Sequence, residues 1–187
     1  MSALGCDLHT VNVYIATGSN LGDRAASLDL ADDMLGQLGQ VTRVSPTYHT
    51  AAVGMAPGTP DFLNRVVEIA LEPHWQGEPE AVMQQLLDIE YTMGRRRTDN
   101  TPDRPSRSID LDIVLWDALE IDLPTLKVPH PRMLSRRFVL QPLADLIPDQ
   151  FVPGTGLTVA ELLHALPVDV PQIAPWPSQT ASLIATL

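Results

Sequence analysis

Only one cysteine, Cys6, occurs in 187 residues, so the chain can form neither an intrachain disulfide nor a cysteine zinc site. No stretch approaches the roughly 18 consecutive apolar residues of a membrane-spanning helix. Residues 1–10 lack the basic start and apolar run of a secretion signal, so a cytoplasmic protein without membrane association is expected. Positive charge is scarce: 12 Lys and Arg stand against 23 Asp and Glu, for a net charge of −11. The basic surface that drives general nucleic-acid binding is therefore missing. Phosphate-loop signatures are missing too. Gly18-Ser19-Asn20-Leu21-Gly22-Asp23 does follow a strand pattern and precede a helix pattern. Yet no Lys-Ser/Thr pair follows its second glycine, and the three spaced glycines of a dinucleotide fold are absent.

What remains is a composition fit for a globular domain, with 44% apolar residues and a mean hydropathy of +0.02. Seventeen prolines with only 19% charged residues imply long, fixed loops. The reading divides the chain into a flexible leader (1–10), a single domain (11–166) and a Pro-rich tail (167–187). Val11 to Thr17 alternates as a strand. Leu28, Ala31, Leu35 and Leu38 recur at helical spacing after an Asp23 cap, with Gly39 expected to close the helix. Val41 to Tyr48 reads as a second strand, and the near-continuously apolar Phe62 to Leu71 as a central one. Val82, Leu86, Ile89 and Met93 form one helical stripe. Ile121 to Val128 is a short extended piece, and Thr158 to Leu166 a short amphipathic helix. The order β-α-β-β-α-β is that of an α+β ferredoxin-like sandwich, an antiparallel sheet with helices packed on it.

One stretch carries the chemistry. In Arg107-Ser108-Ile109-Asp110-Leu111-Asp112-Ile113-Val114-Leu115-Trp116, apolar residues alternate with polar ones as in a strand. Asp110 and Asp112 then share one face, about 7 Å apart along the strand. An unpartnered carboxylate in a core costs several kcal/mol. A cation between the two would supply the partner, and two hard oxygen ligands with room for water suit Mg²⁺ on a phosphate-bearing substrate. Taken alone, the pair reads equally well as an edge strand with acids facing water. The nearby Arg95, Arg96, Arg97, Arg104 and Arg107 favour a polyphosphate site. The basic segment from Gly94 to Ser106 has two prolines and no apolar anchor, and is expected to be a mobile lid.

Several separated motifs together resemble the 6-hydroxymethyl-7,8-dihydropterin pyrophosphokinase family. They are Gly18-Ser19-Asn20-Leu21-Gly22, Phe62-Leu63-Asn64, Gly94-Arg95, Arg107 to Ile113, and Pro129-His130-Pro131 followed by Arg136 and Phe138-Val139-Leu140. Their order and spacing fit from about residue 11 to residue 166. The resemblance implies transfer of pyrophosphate from ATP to a hydroxymethyl pterin, in folate biosynthesis. It implies that Asp110 and Asp112 hold two Mg²⁺ ions, and that Arg95 and Arg107 clamp phosphate oxygens. Glu90, Arg97, Ile113, His130 and Arg136 match positions that contact ATP. Thr50, Ala51, Val53, Phe62, Asn64 and Phe138 match the pterin pocket, with the two rings sandwiching the heterocycle and Asn64 reading its polar edge. No nucleic acid or membrane partner is expected, and the assembly is expected to be a monomer or weak homodimer.

Other readings of the same residues stand beside these. Phe62 and Phe138 fit an ordinary core, His130 fits a turn, and Glu90 could simply pair with Arg95 or Arg97. The family's usual Trp-Gly-Pro-like run before the lid arginine is here Arg104-Pro105-Ser106, and Thr50-Ala51-Ala52-Val53 lacks a proline common in that loop. These departures leave open a paralogue with a changed pterin substrate, or a module that binds pterin or nucleotide without turnover.

Overall fold

The protein's computed structural model describes residues 10–52, 55–96 and 106–177. Strand β1 (Asn12–Ser19) leads through the glycine-rich turn into helix α1 (Arg24–Leu35). Strands β2 (Gly39–Val44), β3 (Tyr48–Thr50) and β4 (Phe62–Leu71) follow, then helix α2 (Pro79–Thr92) and strand β5 (Asp110–Trp116). Short strands β6 (Ile121–Asp122) and β7 (Lys127–Val128) pair with each other. A 3-10 turn (Met133–Ser135) opens into helix α3 (Arg137–Leu146), and helix α4 (Val159–His164) and strand β8 (Ile173–Pro175) complete the described chain.

The main sheet runs β5-β1-β4-β3-β8, with β2 also paired to β4. β4 is central as its apolar sequence requires: it pairs antiparallel with β1 on one side and with β2 and β3 on the other. This is the α+β ferredoxin-like arrangement, with helices packed on an antiparallel sheet.

Alternation divides each strand between two faces. On one, Val13, Ile15, Leu63, Val67, Ile69, Leu111 and Ile113 pack against Leu28 and Leu35 of α1 and Val82, Leu86 and Ile89 of α2. Truncating one such buried Leu or Ile to Ala typically costs about 2–5 kcal/mol. On the other face, Tyr14, Val66 and Leu115 pack against Val139, Leu140 and Leu143 of α3 and Val159 and Leu162 of α4. These two helices cover only part of that face. The remainder, with Asp110, Asp112 and Asn64 along its strands, is where the site forms.

Four local expectations change. Helix α1 ends at Gly36 rather than Gly39. Gly39 instead starts β2, where an added Cβ would lie 2.1 Å from the Ala70 carbonyl oxygen. The strand expected over 41–48 is split into β2 and β3 by Ser45-Pro46-Thr47, because proline cannot donate to the ladder. Helix α3 forms where no helix was expected, with Pro142 inside it, because burial of Val139, Leu140 and Leu143 outweighs the lost hydrogen bond. Part of the Pro-rich tail also joins the sheet, as β8 alongside β3. Among the described residues, no helix is long and apolar enough to cross a membrane.

Candidate active site

The alternation of β5 sends Ile109, Leu111 and Ile113 into the core beneath α1 and α2 and turns Asp110 and Asp112 to the other face. Asp110 is held by two guanidinium groups. Arg107 Nη1 donates to its Oδ2 at 2.8 Å, and Arg95 Nη1 donates to its Oδ1. Arg95 also pairs with Glu90, which is 1% exposed and accepts from the Leu111 amide at 2.8 Å. A carboxylate at the end of α2 therefore fixes an arginine against the first acid of β5. Burial alone would raise the Asp110 carboxyl, but Arg107 and Arg95 outweigh it and hold it below the usual carboxylate value.

Asp112 is more loosely surrounded. His130 Nε2 and Arg136 Nη1 stand 3.9 Å and 4.0 Å from its Oδ2. Burial lowers the His130 imidazole below its ordinary value; Asp112 opposes this, while Arg136 and Arg132 add to it. The neutral ring is thereby favoured over the charged one. Its Nδ1 accepts from the Arg132 amide at 3.1 Å, which places the ring proton on Nε2, toward Asp112. The His130 amide donates to the Val114 carbonyl at 3.0 Å, pinning this turn to β5. The 3-10 turn then delivers Arg136 at the mouth of α3.

The two aromatic residues flank this charged centre. Arg107 Cζ lies 6.0 Å from the centroid of Phe62, and Arg136 Cζ 5.4 Å from that of Phe138. Each ring is thus linked through an arginine to one acid. Both rings are half-buried, as a pocket wall requires and a closed core does not. Behind Phe62, the Asn64 side-chain amide donates to Thr50 Oγ1 at 2.9 Å. Gly18 makes room for it: a Cβ there would meet Asn64 Oδ1 at 2.7 Å. Ala51 is exposed beside Thr50.

The structure thus brings together Arg95, Arg107, Asp110, Asp112, His130 and Arg136, with Phe62 and Phe138 beside them and Thr50 and Asn64 paired. One expectation is modified. Ile113 is buried on the helical face, so only its main chain is left to meet a ligand. Glu90 has its carboxylate on Arg95 and the Leu111 amide, which is the pairing with Arg95 that the sequence offered beside a contact with ATP. Arg97 and Val53 lie outside the described residues, as do Arg104, Pro105 and most of the segment expected to be a lid.

Asn20 was quoted in the sequence only as part of a motif, and it proves to be a cross-brace. Its amide nitrogen donates to the Pro60 carbonyl at 3.1 Å and to Ser106 Oγ at 3.2 Å, and its oxygen accepts from the Arg107 amide at 2.7 Å. Asn within a glycine-rich turn reads locally as a turn residue. Partners 40 and 86 residues away leave no local signal.

Among the described residues, no three or more His, Cys, Asp or Glu side chains converge as a metal site. A cation held by Asp110 and Asp112 would have two carboxylates and would take its remaining ligands from phosphate oxygens and water. That donor set fits Mg²⁺ carried on a nucleotide.

Fold and side chains together define a ferredoxin-like domain with paired arginines and carboxylates on the part of its sheet that no described helix covers. The family model described as 7,8-dihydro-6-hydroxymethylpterin-pyrophosphokinase (HPPK) matches residues 14–148. A 2-amino-4-hydroxy-6-hydroxymethyldihydropteridine pyrophosphokinase of Pseudomonas aeruginosa is 39% identical over 159 residues, covering 84% of this chain and 93% of that protein. The Bacillus subtilis protein of the same name is 40% identical over 135 residues, 71% of this chain and 76% of its own length. Among solved structures, a wild-type Plasmodium falciparum HPPK-DHPS shares the fold with a TM-score of 0.59 at 13% identity; the match covers 83% of this chain but 43% of that one, so the chain spans under half its length. The chain belongs to the 7,8-dihydro-6-hydroxymethylpterin-pyrophosphokinase family.

Proposed function

We propose that this protein moves the pyrophosphoryl group of ATP to 6-hydroxymethyl-7,8-dihydropterin, yielding AMP and the pterin diphosphate for folate biosynthesis. Membership of the pyrophosphokinase family supports the enzyme class. The single observation that supports the site assignment is the pair of acids on β5, each linked through an arginine to an aromatic ring. Polyphosphate and flat heterocycle would then meet at the acids.

In this reading the pterin lies between Phe62 and Phe138, and the amide of Asn64, with Thr50 and Ala51, meets its polar edge. Stacking suits a flat ring, and a buried amide left unpaired would reject heterocycles of the wrong pattern. The hydroxymethyl oxygen attacks the β-phosphorus, the bond from that phosphorus to the oxygen bridging to the α-phosphate breaks, and AMP leaves. The hydroxyl proton passes to solvent. Arg95 and Arg107 turn from Asp110 to the phosphate oxygens, where charge builds; Arg136 and the neutral His130 donate from the Asp112 side. Asp110 and Asp112 would hold Mg²⁺, two ions in the expected arrangement. When bound, Mg²⁺ neutralises phosphate charge and aligns the reacting oxygen. Arg97 and Val53 would add contacts to ATP and pterin respectively. The protein would act in the cytoplasm as a monomer or weak homodimer, on residues 11–166.

The test is AMP release from ATP and Mg²⁺, with and without 6-hydroxymethyl-7,8-dihydropterin, run beside Asp110→Ala. Pterin-dependent AMP that disappears in the variant is the expected result. Absence of pterin-dependent AMP from the wild type would overturn the proposed activity, and full activity in the variant would overturn the site.

A further inference from the structure

Strand β8 lies beyond the stretch matched by the family model, yet it reaches the residues that hold the pterin side of the site together. It pairs antiparallel with β3 in the register Thr50↔Ile173, His49↔Ala174 and Tyr48↔Pro175. The pairing is extended by the Trp176 amide, which donates to the Thr47 carbonyl at 2.8 Å. The indole of Trp176 stacks on the imidazole of His49, with centroids 6.2 Å apart and planes 21° from parallel. Arg24 Cζ, at the start of α1, lies 5.4 Å from the same indole.

His49 and Arg24 share a second partner. His49 Nε2 stands 3.1 Å from Asp61 Oδ2, and Arg24 Nη1 donates to the Asp61 carbonyl at 2.6 Å. The other carboxylate oxygen of Asp61 accepts from the Ala52 amide at 3.2 Å. Asp61 immediately precedes Phe62, and Ala52 follows Thr50 and Ala51. One carboxylate thus ties the exit of β3 to the entry of β4, the two segments that carry the pterin-facing residues. Trp176 packs on both groups that hold it.

We propose that Trp176 is a positioning residue for the pterin pocket: through His49 and Arg24 it fixes Asp61, and through Asp61 the separation between Thr50–Ala52 and Phe62. This inference rests on the pterin reading of that pocket. The contacts point to alignment more than to global stability. β8 is only three residues long, begins and ends near prolines, and joins the sheet through a strand that is itself three residues long. Trp176 remains 36% exposed, so its removal opens no core cavity. Its stack and cation–π contact are each of the size of one modest interaction, which sets the expected effect at about three- to tenfold.

The test uses the full chain with Trp176→Ala and Trp176→Phe. Steady-state kinetics should show KM for the pterin raised about three- to tenfold in Trp176→Ala, with kcat and KM for ATP within about twofold of wild type. Trp176→Phe should recover most of the difference. Asp61→Ala should raise the same KM, and the double variant should be no worse than the poorer single one. Hydrogen exchange of the peptide over 48–52, measured without ligand, should quicken in Trp176→Ala and not in Trp176→Phe. An unchanged pterin KM overturns the proposal, as does a fall in kcat and melting temperature accompanied by equal rises in KM for both substrates. The exchange measurement needs no turnover. If the wild type made no AMP, the pterin reading would fail separately, and unchanged exchange at 48–52 would still refute the link through Asp61.

Discussion

Asp110 and Asp112 stand two residues apart on one strand and meet different surroundings. Asp110 carries two arginines, and Arg107 already has a buried Nε without a hydrogen-bond partner. Removing Asp110 strips Arg107 of the one carboxylate described for it. Asp110→Ala should therefore abolish turnover and also cost about 1–3 kcal/mol of stability. Asp112 has its nearest described cations at 3.9 Å and 4.0 Å. Asp112→Ala should lower turnover at least about a hundredfold while leaving the melting temperature close to wild type. Calorimetry on the two variants beside the AMP assay checks this contrast. Equal melting temperatures would mean that the arginines on Asp110 add no stability.

At the level of elements, the close approach of β1 and β4 at Gly18 shapes the surroundings of Asn64, on the proposed pterin side. In Gly18→Ala the new methyl would push against the tip of the Asn64 side chain, a flexible group, and not against main chain. The fold should survive, while Asn64 loses its place against Thr50. We expect a pterin KM raised by about tenfold or more, with KM for ATP little changed, since a misplaced buried polar group is costly in recognition. Titration with the pterin, read by calorimetry, decides it. The elements themselves were largely legible. The alternation of β1 and of the start of β5, the near-continuous apolar run of β4 and the stripes in α1 and α2 come from burial on the two faces of the sheet, and burial leaves its pattern in sequence. Helix α3 was not legible, because Pro142 and the Pro129-His130-Pro131 run spoke against it while its support came from distant strands. The acid pair, arginines and aromatic residues could be read as candidates from local spacing. The bracing by Asn20 and the packing of Trp176 on His49 and Arg24 could not, since each joins residues far apart in the chain, whereas the pairing of Glu90 with Arg95, five residues on, was among the readings the sequence offered.

Across the whole molecule, a buried and a half-buried carboxylate pull the pH dependence of folding in opposite directions. Glu68 lies below its ordinary value, chiefly through its bond with Arg43, with Thr42 and Tyr14 also donating. Its folded form is favoured when ionised, so this stabilisation is present above the ordinary carboxylate value and is lost as pH falls through its folded value. Asp32 is the reverse. Burial raises it from 3.8 to about 6, although Arg65 Nη2 lies 2.8 Å from its Oδ2. Between those values the folded state keeps a proton that the unfolded state has released, so stability declines as pH rises from 3.8 to about 6 and stays lower above. Asp32→Asn should flatten that decline, gaining about 1–3 kcal/mol at pH 7.5 relative to pH 4.5 when each is compared with wild type. Urea unfolding at the two pH values measures it. An identical pH profile in the variant would show that Asp32 titrates normally.

The seating of Arg95 and Arg107 on Asp110 has a consequence for the order of events. Among the described residues, Glu90, Asp110 and Asp112 are balanced by Arg95, Arg107 and Arg136, as in an ion-exchange resin already loaded with its counter-ions. Free Mg²⁺ would have to displace a guanidinium to gain Asp110, and little drives that exchange. In the proposed reaction a nucleotide would change the balance, since its phosphates would draw the guanidiniums away from the carboxylates that the metal needs. Mg²⁺ alone should therefore bind weakly in calorimetry, and Mg²⁺ with a non-hydrolysable ATP analogue far more tightly than either alone. Tight binding of the bare ion would mean that the arginines yield Asp110 without help.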